Sequence, residues 1–195
     1  MMKKILVAYS TGSGSTEMVA RTIGETIRDG DSSVDVRNIA EIADITGYSA
    51  VLLGGPMILG WHRKARFFLR KHREDFSRVP TALFFTAMEV TSHGGEERNF
   101  PVYIDPKLEK KPGRPDRLSF KEKHTTLGSY FKPIDKLCSM INPVGAAFFA
   151  GKLDYRVLKF PQMLFVMFVI QAKPGDFRNR ERIVQWAESI KPLLM

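Results

Sequence analysis

Short apolar runs alternate along this chain with segments whose apolar residues recur every three or four positions. The apolar runs, each the length of one strand, lie at 4–9, 34–37, 50–53, 81–87 and 144–150. Apolar residues at helical spacing fill much of 17–28, 61–76, 127–141 and 180–191. Strands that alternate with amphipathic helices predict a parallel sheet covered on both faces. We therefore predict an α/β fold with a doubly wound, five-stranded parallel sheet and helices on both faces.

A stretch rich in proline, glycine and charge, at about 89–125, follows the fourth predicted strand and shows little periodicity. Loops of this length in compact domains are frequently functional. The chain has 195 residues, which suits one α/β domain, and no repeat divides it. We predict a single domain over 1–195 that carries this stretch as a long insert. Pro133 must lie in a first helical turn or kink the helix predicted at 127–141.

Cysteine and hydropathy patterns limit the classes of protein that remain. A single cysteine, Cys138, excludes an internal disulfide and a multi-cysteine metal site. The four histidines are scattered, so we expect no metal. The apolar run at 5–9 is too short for a signal peptide, and no run reaches the ~20 apolar residues that span a bilayer. We expect a cytoplasmic protein, either free or peripheral at the inner face of the cell membrane.

Positive charge is concentrated in two segments of a chain whose formal net charge is +9. Residues 61–78 hold seven basic and two acidic side chains, and 105–136 hold nine basic and five acidic ones. Such concentration suggests an anionic partner: a carboxylate substrate, a lipid surface or nucleic acid. Of these three, we do not expect nucleic acid. The alternative is a solvated basic face.

A loop of hydroxyl residues and glycines joins the first predicted strand to the first helix: Ser10, Thr11, Gly12, Ser13, Gly14, Ser15 and Thr16. Ligands of open parallel sheets bind beyond the carboxyl ends of strands, where amides and a helix N-terminus favour phosphate. The loop lacks lysine, so it is not a triphosphate loop, and its spacing differs from G-x-G-x-x-G. It suits the phosphate of a mononucleotide such as FMN. The alternative is a polar turn with Ser15 as helix N-cap.

This loop, with Ala20 and Ile23 behind it, resembles the phosphate loop of the flavodoxin family, although Ala8 stands where a larger apolar residue is usual. The resemblance extends to the residues after the third and fourth strands, which correspond to the two loops that sandwich the isoalloxazine ring. It implies a flavodoxin-like fold with FMN as cofactor. The implied ring-binding residues are Pro56, Met57, Ile58, Leu59, Gly60, Thr86, Ala87, Met88 and Glu89.

The chain is more closely similar to the flavodoxin-like protoporphyrinogen oxidases of bacteria, which pass electrons to quinones. The similar features are a basic helix ending in Lys71-His72, the long insert, the segment 150–155, and 175–178 before Trp186-Ala187. Ile58 and Leu59 depart from that family, because a basic and an aromatic residue are expected there, and the insert is unusually rich in lysine and proline.

The resemblance implies an FMN-dependent oxidoreductase of heme biosynthesis, with protoporphyrinogen IX as its small-molecule substrate and a quinone as acceptor. The flavin does the chemistry, so we nominate no catalytic side chain. One alternative is a flavodoxin-type electron-transfer protein without substrate chemistry of its own. Such carriers are usually acidic, whereas this chain is strongly basic. Another alternative is a regulatory FMN-binding module.

Several side chains allow two interpretations each. His72 is expected to pack in the core, His93 is a candidate for the flavin edge, and Trp61 and Met57 either cover the flavin or join the core. The segment 160–170 is apolar on all sides. It predicts a buried helix, a homodimer contact or an interfacial membrane helix.

Overall fold

The structure is a computed structural model that describes residues 2–12, 14–57, 60–93, 98–153 and 175–195. Its strands are β1 (Lys3–Tyr9), β2 (Ser32–Asn38), β3 (Ala50–Pro56), β4 (Thr81–Ala87), β5 (Val90–Thr91), β6 (Val102–Ile104), β7 (Glu109–Lys110), β8 (Gly145–Ala150), β9 (Lys152–Leu153) and β10 (Gly175–Asp176). Its α-helices are α1 (Ser15–Ile27), α2 (Arg63–Lys71), α3 (Arg73–Phe76), α4 (Phe120–Thr125), α5 (Leu127–Phe131), α6 (Asp135–Ile141) and α7 (Arg180–Ile190).

Six parallel strands form the main sheet, in the order β2-β1-β3-β4-β8-β6. This confirms the predicted parallel α/β fold, but the count of five strands was one too few. The sixth strand, β6, comes from the insert and pairs with β8, where Tyr103 lies opposite Ala147. β6 has only three residues within a proline-rich and charged stretch, which is too short a run for its alternation of side chains to predict a strand.

Side chains of the sheet alternate between two apolar layers. Leu6 and Ala8 of β1 pack on the layer that contains residues of α2, α3, α5 and α6. Ile5 and Val7 point to the opposite layer, which contains residues of α1 and α7. All four are fully buried. Burial of the three larger side chains stabilises the fold by roughly 1.5–3 kcal/mol each, which helps to hold the strands in place.

Two of the predicted helices are divided. The helix predicted at 61–76 begins at Arg63 and is broken at His72, which ends α2 and begins α3. The helix predicted at 127–141 is interrupted between Phe131 and Asp135. Pro133 lies in this break, where it does not disrupt a helix interior.

The insert is folded against the body of the protein. β5 and β7 pair in parallel, the amide of Val90 donates to the Leu108 carbonyl at 2.9 Å, and Leu108 is buried. Among the described helices none has the length and apolarity to cross a membrane. The predictions for 160–170 lie outside the described residues.

Candidate functional site

Four strand ends meet at one edge of the sheet and are joined there by backbone hydrogen bonds. These are Ser10 N to Gly54 O (2.9 Å), Met57 N to Thr86 O (2.8 Å) and Gly151 N to Ala87 O (3.1 Å). The three loops predicted to bind the cofactor, after β1, β3 and β4, therefore lie side by side. The fourth loop, after β8, was not among the predicted site residues.

The loop after β1 turns into α1 through a left-handed residue. Gly14 has φ +81° and is the N-cap, so Ser15 is the first helical residue. The interpretation of Ser15 as N-cap was wrong, because only a residue that tolerates positive φ can make this turn. The Gly14 amide donates to Oγ1 of Thr11 at 2.8 Å, which closes the loop on itself.

This loop has the features that a phosphate dianion needs. Gly12 and Gly14 are exposed, and no atom lies within 4 Å of where a Cβ on either would stand. The first turn of α1 has amides without intrahelical acceptors, and the helix dipole favours negative charge there. The Thr11 hydroxyl accepts from Gly14 and keeps its own proton to donate. Thr11, which is half-exposed, and the first-turn amides of α1 are thus the donors available to a phosphate.

The hydroxyls of Ser15 and Thr16 point inward and hold the loop in place. Ser15 Oγ accepts from the amide of Lys152 at 2.8 Å and donates to the Lys152 carbonyl at 3.2 Å. Thr16 Oγ1 lies 2.9 Å from Thr86 Oγ1, and both residues are buried. Of the three predicted threonines, the structure therefore brings Thr16 and Thr86 together, as a link between the loops after β1 and β4.

Ser10 faces the other side of the sheet. Its hydroxyl lies 2.9 Å from Nδ1 of His62, the N-cap residue of α2, and Ser10 is buried. Gly55 makes room for this arrangement, because a Cβ there would stand 2.8 Å from Ser10 Oγ and 2.7 Å from Trp61 Nε1. Burial, and secondarily the charge of Lys64, lowers the pKa of His62.

The loop after β3 is partly described. Pro56 and Gly60 are half-buried, and Gly60 has φ +97°. Met57 and Trp61 form a β-bridge and are almost fully buried, and the Trp61 ring packs edge-on against Phe85. Met57 and Trp61 were expected either to cover the flavin or to join the core, and the structure supports the core. Three predicted cofactor-binding residues lie outside the described ranges: Ser13, Ile58 and Leu59.

The loop after β4 joins the site to the insert. Thr86 and Ala87 end β4 and are buried, and Met88 is half-buried. The Glu89 carboxylate pairs with Lys121 Nζ at 2.6 Å, and its carbonyl accepts from Tyr130 OH at 2.9 Å.

The structure also shows the surroundings of two histidines, His93 and His72, whose roles the sequence left open. His93 is exposed and lines a small cavity with Ile104, Glu109 and Leu127, so it belongs to the surface of the insert. His72 is packed, as expected: it is buried and its ring lies 4.7 Å from that of Phe68. Within the described ranges, no three or more His, Cys, Asp or Glu residues gather as metal ligands would.

Sequence reasoning missed three residues of the site: His62, Lys121 and Lys152. Each acts through a contact that joins distant parts of the chain. The segment 150–155 carried the only signal, since its resemblance to a family motif suggested that the end of β8 was constrained.

The family described as flavodoxin domain matches residues 6–179. No curated protein matches the chain. Many solved structures share the fold, among them three at low identity.

The first of these is rubredoxin oxygen:oxidoreductase from Desulfovibrio gigas (TM-score 0.55, 14% identity, 99% of this chain and 37% of that one). An oxidoreductase from Corynebacterium diphtheriae gives TM-score 0.51 and 14% identity over 100% and 98% of the two chains. A short-chain flavodoxin associated with a PDU bacterial microcompartment gives 0.50 and 13% over 99% and 97%. The chain thus spans 37% of the length of the first structure and nearly all of the other two.

Proposed function

Because this chain belongs to the flavodoxin domain family, we propose that it is an FMN-dependent oxidoreductase with a substrate of its own. The cofactor is FMN. The proposed reaction takes electrons from protoporphyrinogen IX and passes them to a quinone. When bound, FMN supplies the redox chemistry, and the protein supplies binding, orientation and electrostatics.

The chain's own residues hold the cofactor in two ways. Thr11 and the first-turn amides of α1 would donate hydrogen bonds to the phosphate, and Gly14 provides the turn that aims them. The loops after β3 and β4 would border the ring, and a 2.8 Å hydrogen bond from Met57 N to Thr86 O joins these two loops at their base. Glu17 in the first turn is paired with Arg21 at 2.8 Å, which reduces its repulsion of a phosphate.

An ion pair attaches the insert to the candidate site, and this contact is the main support for a substrate of the chain's own. Glu89, in the loop that borders the ring, pairs with Lys121 of the insert. The adjoining part of the insert presents exposed cations, none within ion-pair distance of a described carboxylate: Lys107, Lys110, Lys111, Arg114 and Arg117. These cations suit a substrate that carries carboxylates, such as the propionates of a porphyrinogen.

A flavodoxin-type electron carrier is the second candidate, and the family match favours it equally. The chain's net charge of +9 argues against it, since carriers of that type are usually acidic to match basic partners. The insert also has no evident use in a carrier that only exchanges electrons with another protein.

Anaerobic turnover of the FMN-loaded chain separates the two candidates. We expect oxidation of protoporphyrinogen IX with menadione as acceptor, and little reduction by a flavodoxin reductase coupled to cytochrome. Lys110→Glu with Lys111→Glu should raise KM for the porphyrinogen, while Lys3→Glu, at the opposite edge of the sheet, should not. Absence of porphyrinogen oxidation together with efficient coupling to the reductase would favour the carrier.

A further inference from the structure

An aromatic side chain stands exposed at the centre of a cationic helix face. Phe67 of α2 is 68% exposed. At 3.6 residues per turn, it shares one side of the helix with Arg63, Lys64, Arg70 and Lys71. All five are exposed, and together we call them the α2 outer face. The opposite side of α2 is anchored in the core by Ala65, Phe68 and Leu69.

The charge of the α2 outer face is not neutralised by the described part of the protein. No described carboxylate lies within 4 Å of Arg63, Lys64, Arg70 or Lys71, whereas Arg73 and Arg78 of the next segment have acidic partners. Helix α2 itself contains no acidic residue.

Helix stability does not account for these cations. Arg70 and Lys71 in the last turn interact favourably with the helix dipole, but Arg63 and Lys64 in the first turn oppose it. A first turn without an acidic residue, preceded by an N-cap without a side-chain hydrogen bond, is unfavourable for a free helix. These features indicate an external anionic partner.

We propose that the α2 outer face docks on an anionic lipid surface, with Phe67 inserted at the interface and the four cations on the headgroups. An aromatic residue flanked by lysine and arginine fits the boundary between acyl chains and anionic headgroups. Duplex nucleic acid or an acidic protein would satisfy the cations but offers no general place for the ring. A single-stranded nucleic acid, on whose bases the ring could stack, is an outcome that the test below distinguishes.

The position of α2 connects this surface to the site. His62, immediately before α2, is bonded to Ser10 of the loop after β1, and Gly60 ends the candidate loop after β3. Docking through α2 would bring this edge of the sheet close to the bilayer, where a quinone dissolves. This role rests on the proposed function, but the lipid binding itself does not.

Vesicle flotation of the FMN-loaded full chain tests the proposal. We expect the protein to float with phosphatidylcholine vesicles that contain phosphatidylglycerol and not with phosphatidylcholine alone. Phe67→Ser should reduce partitioning about tenfold, as expected for one lost aromatic insertion. Arg63→Glu with Arg70→Glu should abolish it, and high salt should weaken wild-type binding.

Matched controls distinguish the effect of the α2 outer face from the effect of any exposed phenylalanine or of any equal change in charge. Phe120, on the insert, is 63% exposed, and Phe120→Ser should float like wild type. The pair Lys3→Glu with Arg37→Glu makes the same charge change on exposed residues of β1 and β2 and should also leave flotation intact. FMN content and circular dichroism should be unchanged in all four variants, since every changed side chain is exposed.

The proposal would be overturned by no flotation of wild type with anionic vesicles, by unchanged flotation of both α2 variants, or by equal losses in the controls. Tighter binding of a single-stranded oligonucleotide than of vesicles, lost in the same α2 variants, would also overturn it. Flotation that depends on α2 in a chain that does not oxidise porphyrinogen would support docking while the proposed function fails.

Discussion

The Ser10 hydroxyl lies 2.9 Å from Nδ1 of His62 and thereby joins the end of β1 to the residue that precedes α2. This bond turns the Ser10 side chain away from α1, and the Ser10 amide already donates to the Gly54 carbonyl. It also holds a half-buried imidazole beside the candidate site. The protonation of that imidazole therefore affects both the fold and the site.

Stability should depend on pH through His62. Burial lowers its pKa below the ordinary value of 6.5, so the unfolded chain binds a proton more readily than the folded one. The free energy of unfolding should therefore fall as pH drops below 6.5. His72, whose pKa is also lowered by burial, contributes with the same sign.

Urea unfolding of the wild type, His62→Gln and His72→Gln at several pH values measures these contributions. Each substitution should flatten part of the pH dependence, because glutamine does not titrate. An unchanged slope in His62→Gln would show that the imidazole is not kept neutral by its surroundings.

The Thr16–Thr86 hydroxyl pair should behave as a unit. Thr16→Val leaves the buried Thr86 hydroxyl without this partner, and we expect a loss of about 1–3 kcal/mol in the free energy of unfolding. Thr86→Val should cost a similar amount. The double variant should be more stable than the sum of the single losses predicts, because no buried hydroxyl is left unpaired. Additive losses in a denaturant double-mutant cycle would contradict the coupling.

The Glu89–Lys121 pair should hold the insert against the site. Lys121→Met removes the partner of a carboxylate whose side chain is 15% exposed, so the insert should loosen. We expect faster proteolysis within 98–125 and weaker substrate turnover, with FMN affinity nearly unchanged. Lys123→Met, at an exposed position of the same helix, is the control. Equal proteolysis of both variants would argue against this attachment.

The bounds of a strand could be predicted where its apolar residues continue to both ends. The fourth strand was predicted at 81–87 and occupies those residues, because every side chain in it is buried. β6 was missed because it has three half-buried residues and depends on pairing with β8, which lies some forty residues away. The break at His72 was missed because apolar spacing continues through it to Phe76.

The loops that form the candidate site could be predicted from the sequence, whereas the contacts of individual side chains within it could not. The convergence of the loops after β1, β3 and β4 followed from the parallel topology. Spacing alone could not show that Ser10 contacts His62 or that Ser15 contacts Lys152, since these contacts join residues 52 and 137 positions apart. The single domain, the homodimer and the role of 160–170 stay predictions.

Flavin titration tests the central claim, that the loop 11–16 holds the phosphate of FMN. Wild type, Thr11→Glu and the control Ser77→Glu, an exposed residue after α3, should be titrated with FMN and with riboflavin. We predict that wild type binds FMN far more tightly than riboflavin, and that Ser77→Glu does the same. In Thr11→Glu, a carboxylate would face the phosphate, so FMN affinity should fall to that of riboflavin. Equal affinity of wild type for FMN and riboflavin, or unchanged FMN binding by Thr11→Glu, would contradict the claim.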